Sequence, residues 1–440
     1  MLSGGGGVYT SRLSEALRRN DVVSRVLSLD DGSLLPPGGL PSQIFNRHDW
    51  ALSGMLRRRS RGPVLSFHRR QLWNPEVEIQ GDDIVHLHSI TGFIGDGGLR
   101  HLLRHRPRVF WTAHNPWLFT GGCVAYAGCD RFESGCKMCP LLKFPLERWT
   151  SWELKAKVNF WRDFGVQPIA NSEWMAGMMR RSPLFRGMDI SVVPPIVDKI
   201  FTANAKNLRS EKLNEDLTAE DTTEYRVSCE IGQPKVGPKG EIVGASESKC
   251  TEFVALWSGG NRFVVGMSAR ALTDKGKGIE EFFQRLPLNR AFLKQTTFVL
   301  IGDGKIRVPA GLDCRFPGHV DSPARLALMY RSLDLFVSAS AMETFGMAIL
   351  EAQACGTPVL AFEVGGTPEA VFPTGCKLVR DQDWARLFLE LEDMFDSAVK
   401  GGGKNHELAE WVAKRHDWQS IAAKQIKIYG INPKNYKGNS

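Results

Sequence analysis

Short apolar runs alternate along most of the chain with segments of helical hydrophobic periodicity. Each run is long enough for one buried strand and ends at polar residues. The predicted strands are "DDIVHLHSI", "RVFWTAHN" and "PIANS" in the first half, and "NRFVVGMSA", "TTFVLIGDG", "LDLFVSAS" and "TPVLAFE" in the second. Helices are predicted after Thr10 and Trp149 and from near Gly278, Ser322, Gly346 and Thr367. Strands that alternate with helices indicate parallel sheets, so the pattern predicts an α/β protein with two doubly wound domains.

The same pattern predicts where the domains divide. Residues 1–200 and 259–415 carry the alternation of strands and helices, and residues 416–440 follow as a C-terminal segment. Residues 201–258 are polar and charged and contain Gly and Pro, which predicts a linker or insertion that is partly disordered. A chain of 440 residues exceeds one typical core, and two domains of roughly 200 residues agree with its length.

Composition excludes several classes of protein. Hydrophobic residues make up 42% of the chain and charged residues 24%, and no apolar run reaches the roughly 18 residues that span a bilayer. The opening "MLSGGGGVYTSRL" lacks the basic start and apolar core of a secretory signal. Nine cysteines, mostly dispersed, fit a reducing compartment better than a disulfide scaffold. We therefore expect a cytoplasmic protein, soluble or peripheral on the inner face of the plasma membrane.

The net charge of +8 lies entirely in the first half of the chain. Residues 1–200 contain 26 Lys and Arg against 18 Asp and Glu, whereas residues 201–440 contain 30 of each. The densest basic stretch, from Met55 to Trp73, contains the arginines from Arg57 to Arg70 and mixes them with Leu, Phe and Trp. It suits an anionic membrane surface or a phosphate-bearing substrate, and a solvated loop is the alternative. Nucleic acid is not expected as a partner, because no nucleic-acid-binding motif accompanies the charge.

Two glutamates follow the predicted strand "LDLFVSAS". Gly346 predicts that Glu343 precedes a helix and that Glu351 lies one turn inside it. A helix that begins there directs the amides of Phe345, Gly346 and Met347 at an anion, while Glu351 accepts hydrogen bonds from sugar hydroxyls. This arrangement suits a nucleoside diphosphate sugar, whereas two solvated glutamates on an amphipathic helix would be the simpler explanation for an isolated pair.

The residues around these glutamates carry a resemblance to a known family. "SASAMETFGMAILEAQACGTPVLAFEVGGTPEAV" resembles the E-x7-E signature of the retaining glycosyltransferases of family 4. The resemblance implies a GT-B fold, two Rossmann-like domains facing a cleft, and transfer of a hexose from a UDP- or GDP-hexose to a glycan or lipid-linked acceptor. Residues 416–440 would then include a helix that crosses back to the first domain. A sugar-nucleotide epimerase, a phosphorylase and a catalytically silent scaffold of the same fold remain as alternatives.

The resemblance extends to the residues that would hold the donor phosphates. "GMSARALTDKGKGIEEFF" is similar to the family's phosphate-binding loop, in which Lys277 matches the basic residue before the glycine and Arg270 is the candidate for an earlier arginine. "SGGGG", with Gly5 and Gly6, resembles the loop that approaches the donor phosphates, followed by a helix predicted over Tyr9–Arg19. The family's preceding apolar strand has no counterpart before Gly4.

A histidine completes the candidate catalytic residues. "FWTAHNPWLFTGGCVAYAGCDRFESGCKMCP" resembles a loop in the branch of family 4 related to colanic acid and other exopolysaccharide glycosyltransferases, and His114 falls on the histidine of that pattern. Asn115 replaces the usual aspartate. The resemblance implies catalytic roles for His114, Lys277 and Glu343. In the front-face reaction of retaining enzymes, the leaving phosphate accepts the proton of the acceptor, and Lys277 and helix amides stabilise its charge without a metal.

Four cysteines in this loop form a separate feature. Cys123, Cys129, Cys136 and Cys139 have the spacing C-x5-C-x6-C-x2-C. Its last part resembles half of a zinc knuckle, so a structural zinc is one hypothesis, with free or redox-sensitive thiols and disulfides as the alternatives. No cofactor is expected for catalysis itself. Asp381 and Asp383 have the letters of a DxD metal motif, but they open a helical segment and are interpreted as a helix cap.

Overall fold

A computed structural model describes most of the two predicted domains. It describes residues 4–27, 79–90, 94, 96–126, 128–142, 146–202, 262–400 and 406–432, and the backbone of two short strands at 235–236 and 242–243. The basic stretch from Arg57 to Arg70 and most of the predicted linker lie outside the described residues. No helix in the described ranges is long and apolar enough to cross a membrane.

The first domain is built on a parallel sheet. Its four described strands are β1 (Ile84–Leu87), β2 (Arg108–Ala113), β3 (Gln167–Ala170) and β4 (Ser191–Val192), in the order β1-β2-β3-β4. Its helices are α1 (Gly5–Arg18), α2 (Asp96–Leu102), α3 (Trp149–Phe164) and α4 (Glu173–Arg181). The short helix α5 (Lys199–Thr202) follows β4 and packs its Phe201 into a hydrophobic cluster of the second domain. β2 is buried along almost its whole length, as expected for a central strand that helices cover on both faces.

The second domain has a larger parallel sheet. Its strands are β7 (Phe263–Ala271), β8 (Thr296–Asp303), β9 (Asp313–Gly318), β10 (Leu335–Ser338), β11 (Val359–Glu363) and β12 (Lys377–Arg380), in the order β12-β11-β10-β7-β8-β9. The short strands β5 (Lys235–Val236) and β6 (Ile242–Val243) pair antiparallel with each other within the linker region. The helices are α6 (Ile279–Arg285), α7 (Pro323–Ser332), α8 (Met347–Ala354), α9 (Thr367–Ala370), α10 (Trp384–Val399), α11 (His406–Arg415) and α12 (Trp418–Tyr429).

Neighbouring residues of the central strands lie in separate hydrophobic clusters. Val264 of β7 packs in the cluster on one face of the sheet, and Val265 packs in the cluster on the other. Successive side chains of a strand point to opposite faces, so both faces of this sheet are covered. The prediction of two doubly wound α/β domains is therefore confirmed.

The last helix joins the first domain. Tyr9 and Leu13 of α1 share a hydrophobic cluster with Ile421, Ala422 and Tyr429 of α12. Burial of these apolar side chains attaches the C-terminal end of the described chain to the first domain. The two domains are thus connected at residues 193–201, where Ile196 packs in the first domain and Phe201 in the second, and again through this helix.

The first helix differs from its prediction. It begins at Gly5 rather than Tyr9 and ends at Arg18, with Gly4 as its N-cap at a φ of 92°. Glycine disfavours helix by about 1 kcal/mol per residue, but here the helix start lies close to side chains of neighbouring elements. A Cβ at Gly6 would lie 3.0 Å from Ser89 Oγ. The stretch interpreted as a phosphate-binding loop is therefore the first turn of α1.

Candidate functional site

One of the two predicted glutamates precedes the start of a helix, and the other lies within that helix. Glu343 lies in the loop between β10 and α8, and α8 begins at Met347 after the N-cap Gly346, whose φ is 102°. Glu351 lies inside α8 and is 7% exposed. The first amides of α8 have no acceptor within the helix, because they precede its first complete turn. The buried ring of Phe345 packs against the ring of His416, with 5.5 Å between the ring centroids, and this contact holds the loop before α8 in place.

Lys277 and Glu343 meet at the carboxyl edge of the second sheet. Lys277 Nζ donates a hydrogen bond of 2.6 Å to Glu343 Oε1, and Ser340 Oγ donates one of 2.9 Å to the same oxygen. Burial on its own would lower the pKa of Lys277, but the carboxylate of Glu343 outweighs it and raises the pKa above the usual value. The lysine is therefore a fixed positive charge beside the start of α8.

Close backbone packing holds Lys277 in this place. Gly278, which follows it, has a φ of 67°, and a Cβ there would lie 2.1 Å from the carbonyl oxygen of Ala339. The amide of Ala341 donates to the carbonyl of Gly276 at 2.9 Å. The loops after β7 and β10 therefore form one unit. Arg270 lies near the end of β7 and is exposed.

Glu351 pairs with an arginine of the other domain. Arg12 of α1 donates a 2.7 Å hydrogen bond to Glu351 Oε1, and the two side chains are only 13% and 9% exposed. Arg12 also donates to the carbonyl of Ile196 at 3.2 Å and lies over the ring of Phe201. Burial raises the pKa of Glu351, while Arg12 acts in the opposite direction.

His114 belongs to the first domain and directly follows strand β2. Its Nε2 is 2.9 Å from Nδ1 of His88, which follows β1, and the two rings stack at 5.2 Å between centroids. The ring of Tyr9 packs edge-on against His114 at 4.7 Å. Burial lowers the pKa of His114 to about 4, so the imidazole is neutral near pH 7 and has one donor and one acceptor nitrogen.

A third histidine connects this pair to the last helix. His86 Nδ1 is 2.5 Å from the hydroxyl of Tyr429, and its Nε2 is 2.8 Å from Thr112 Oγ1. Its ring lies 4.2 Å from that of His88. His86 and His88 are not among the predicted site residues, although both stand at the end of the predicted strand "DDIVHLHSI".

The two domains meet around these groups. A Cβ at Gly5 would lie 3.7 Å from Met347 Cγ, so the starts of α1 and α8 face each other. Asn171 Nδ2 donates to Thr344 Oγ1 at 3.2 Å. The carboxylate of Glu369 accepts from the first amides of α4 at 2.7 Å. The candidate donor residues thus lie in a cleft to which both domains contribute.

The four cysteines lie on one cavity of the first domain. Cys123, Cys129, Cys136 and Cys139 all line it, and all are free thiols. In the described part of the chain, no group of three or more His, Cys, Asp or Glu side chains is arranged to hold a metal ion as it stands. Burial raises the pKa of Cys136 to about 11. The cysteine loop is separate from Lys277 and Glu343, which belong to the other domain.

Family models match both domains. Residues 3–199 match the model described as Glycosyltransferase Family 4, and residues 262–396 match the model described as Glycosyl transferases group 1. Lys277, Glu343 and Glu351 lie in the second match, and His114 lies in the first. The chain therefore carries a Glycosyltransferase Family 4 domain followed by a Glycosyl transferases group 1 domain.

Curated relatives match shorter stretches. A D-inositol 3-phosphate glycosyltransferase of Arthrobacter sp. is 38% identical over 126 residues, which are 27% of this chain and 29% of the relative. A glycogen synthase of Mycobacterium tuberculosis is 30% identical over 35% of this chain and 39% of its own length. A phosphatidyl-myo-inositol mannosyltransferase of Propionibacterium freudenreichii is 28% identical over 41% of this chain and 46% of its own. The matches thus span less than half of each relative.

Solved structures share the fold. HepE of Anabaena, in complex with UDP and glucose, has a TM-score of 0.51 at 16% identity and covers 79% of this chain and 78% of its own. Sucrose-phosphate synthase of Thermosynechococcus elongatus has a TM-score of 0.53 at 17% identity, over 97% of this chain and 93% of its own. The fold of this chain is GT-B, with two Rossmann-like domains facing a cleft.

Proposed function

We propose that this chain, built from a family 4 and a group 1 glycosyltransferase domain, transfers a hexose from a UDP- or GDP-hexose to a glycan or lipid-linked acceptor. The observation that carries the proposal is the Lys277–Glu343 pair, 2.6 Å between Nζ and Oε1, beside the free amides of the α8 start. A lysine and a helix start attract a diphosphate, and a carboxylate binds sugar hydroxyls.

The donor diphosphate would lie between the starts of α1 and α8. There the amides and Lys277 stabilise the charge that develops as the bond to the sugar breaks. The acceptor hydroxyl attacks from the face that the diphosphate leaves, so that its proton passes to the departing phosphate and the anomeric configuration is retained. Glu343 would accept hydrogen bonds from the sugar hydroxyls. Glu351 would accept hydrogen bonds from the ribose hydroxyls, while Arg12 holds its carboxylate through Oε1.

His114 would act on the acceptor side. It lies at the end of β2 in the opposite wall of the cleft, and His88 fixes its ring at 2.9 Å. A neutral imidazole that donates or accepts one hydrogen bond orients a hydroxyl without adding charge to the cleft. Two relatives are named for inositol-containing acceptors, which supports a polar or lipid-linked acceptor. The segment His114–Pro140 favours exopolysaccharide assembly, and the Arg57–Arg70 stretch would bring the enzyme to an anionic membrane.

A donor screen tests this function. The full chain is incubated with UDP- and GDP-hexoses, with and without extracts that contain lipid-linked sugars, and release of UDP or GDP is measured together with the labelled product. We expect one nucleotide to be released faster with acceptor, with transfer of the label. Release of neither nucleotide would support a silent scaffold, and conversion of the donor sugar without transfer would support an epimerase.

A further inference from the structure

The loop between β2 and α3 brings four sulfur atoms to one cavity. The four cysteines that line it are Cys123, Cys129, Cys136 and Cys139, and none of them forms a disulfide. Two of them, Cys136 and Cys139, are each 8% exposed. Four thiols that share one buried space are a rare arrangement for a chain that spreads its other cysteines, and thiolates are the preferred ligands of structural zinc.

A backbone amide is directed at one of these sulfur atoms. The amide of Gly121 donates to Cys136 Sγ at 3.1 Å. The amide of Leu142 donates to the carbonyl oxygen of Cys139 at 3.4 Å, which closes the turn after the C-x2-C segment. An amide donor favours the thiolate over the thiol, because it stabilises the charged form. The Gly121 amide would therefore stabilise negative charge on Cys136 Sγ once a metal has replaced its proton, whereas burial alone raises the pKa of the thiol.

A buried cation lies beside the same sulfur atoms. Lys157 Nζ donates to the carbonyl oxygens of Trp117 and Thr120 at 2.8 and 3.1 Å, and it interacts electrostatically with Cys123 and Cys136. A zinc ion with four thiolates has a net charge of about −2. The ammonium group of Lys157 offsets part of that charge inside the domain.

The backbone of the C-x2-C segment adopts an unusual conformation. Cys136 and Met138 have φ values of 55° and 53° and are two of the five non-glycine residues with positive φ in the described ranges. Thr150 Oγ1 donates to the carbonyl of Cys136 at 2.7 Å, and the amide of Cys139 donates to the carbonyl of Glu147 at 2.9 Å. Such conformations persist where the surroundings impose them and are common at ligand sites.

We propose that Cys123, Cys129, Cys136 and Cys139 bind one structural zinc ion as a tetrahedral tetrathiolate. Binding turns the four sulfur atoms toward one point in the cavity, at about 2.3 Å from the metal, and releases their protons. A closed shell of four sulfur ligands has no open position, so the metal fixes the loop that follows His114 and takes no part in the transfer reaction. The proposal is independent of the proposed function, because the site holds neither donor nor acceptor.

Metal analysis of the full chain tests the site. The protein is purified under reducing conditions, dialysed against zinc and then against buffer, and its zinc content is measured by mass spectrometry. We expect about one zinc per chain in the wild type and less than about a tenth in Cys136→Ser or Cys139→Ser. Cys314→Ser, in β9 of the other domain, is the matched control and should keep about one zinc per chain.

A measurement on the unaltered protein covers the case in which the variants do not fold. Titration of the wild type with a mercurial thiol reagent should release the zinc as the four loop thiols react, and cobalt in its place should give the visible absorption of a tetrahedral thiolate site. A wild type that retains less than about a tenth of a zinc per chain and whose four thiols react freely would overturn the proposal. Disulfides between these cysteines in the reduced preparation would also overturn it.

Discussion

Arg12 and Glu351 form an ion pair between the two domains, with 2.7 Å between the guanidinium and Oε1. Arg12 comes from the first described helix and Glu351 from α8, which also presents its first amides to the cleft. Both side chains are largely withdrawn from water. A buried carboxylate requires such a partner, because desolvation disfavours its charge. The pair therefore connects the candidate donor site to the arrangement of the domains.

Removal of the arginine should destabilise the protein. Arg12→Met leaves the carboxylate of Glu351 buried without its cation, which we expect to lower the free energy of unfolding by about 3–5 kcal/mol. Arg12→Met combined with Glu351→Gln should recover part of the loss, because neither charge then remains. Urea denaturation of the two single variants and the double variant measures this coupling. Strictly additive losses would show that the two side chains do not interact.

Lys277 should matter more for turnover than for affinity. Lys277→Ala removes a charge that acts mainly on the diphosphate as it leaves, so kcat should fall by about 100-fold or more while nucleotide affinity changes less. Lys275→Ala, an exposed lysine two positions earlier, is the control and should retain normal turnover. Steady-state kinetics with the donor found in the screen measure both. Turnover of Lys277→Ala close to that of the wild type would assign the phosphates to another cation.

Gly278 should tolerate no side chain. In Gly278→Ala the new Cβ would collide with the carbonyl of Ala339, 2.1 Å away, so the loop that carries Lys277 must move. We expect a loss of about 2 kcal/mol or more in unfolding free energy together with a lower kcat. Gly311→Ala is a matched control, because Gly311 also has a positive φ of 88° but has open space around it. Equal effects of the two substitutions would refute the collision.

Whether a strand could be predicted from the sequence depended on how much of the strand is buried. The apolar central strands were found from the sequence, whereas β4, β9 and β12 were missed. All three lie at sheet edges. No residue of β9 is fully buried, and β12 exposes three of its four residues. An edge strand has one neighbour and needs no continuous apolar run, so its sequence resembles a loop.

The residues of the candidate site also differ in whether the sequence predicts them. Lys277 and Glu343 stand in contiguous motifs at strand ends, and such residues could be predicted as neighbours because parallel strands end at one edge. Arg12 could not, since its partner Glu351 is 339 positions away and the helix pattern of α1 does not distinguish it from a surface arginine. His88 gave a weak signal as a second histidine after a strand, but only the register of β1 beside β2 brings it to His114.

The buried histidines should make the protein less stable in mild acid. Burial lowers the pKa of His114 to about 4 and that of His86 to about 3, below the ordinary 6.5. As pH falls below about 6.5, the unfolded chain takes up protons first, so this contribution to stability is full above that value and decreases toward pH 4. Denaturation midpoints at several pH values should fall less steeply for His114→Asn. Parallel pH profiles of variant and wild type would contradict this prediction.

Calorimetric titration of UDP and GDP into the full chain tests the central claim, that the cleft beside α8 holds a nucleotide sugar. We expect one nucleotide to bind with one site per chain. Glu351→Ala should weaken it by about 10- to 100-fold, as loss of hydrogen bonds to a charged acceptor predicts. Arg12→Ala, which breaks the same ion pair but keeps the carboxylate, should lose less affinity. If neither nucleotide binds, or if Glu351→Ala binds as tightly as the wild type, the donor does not lie where we place it.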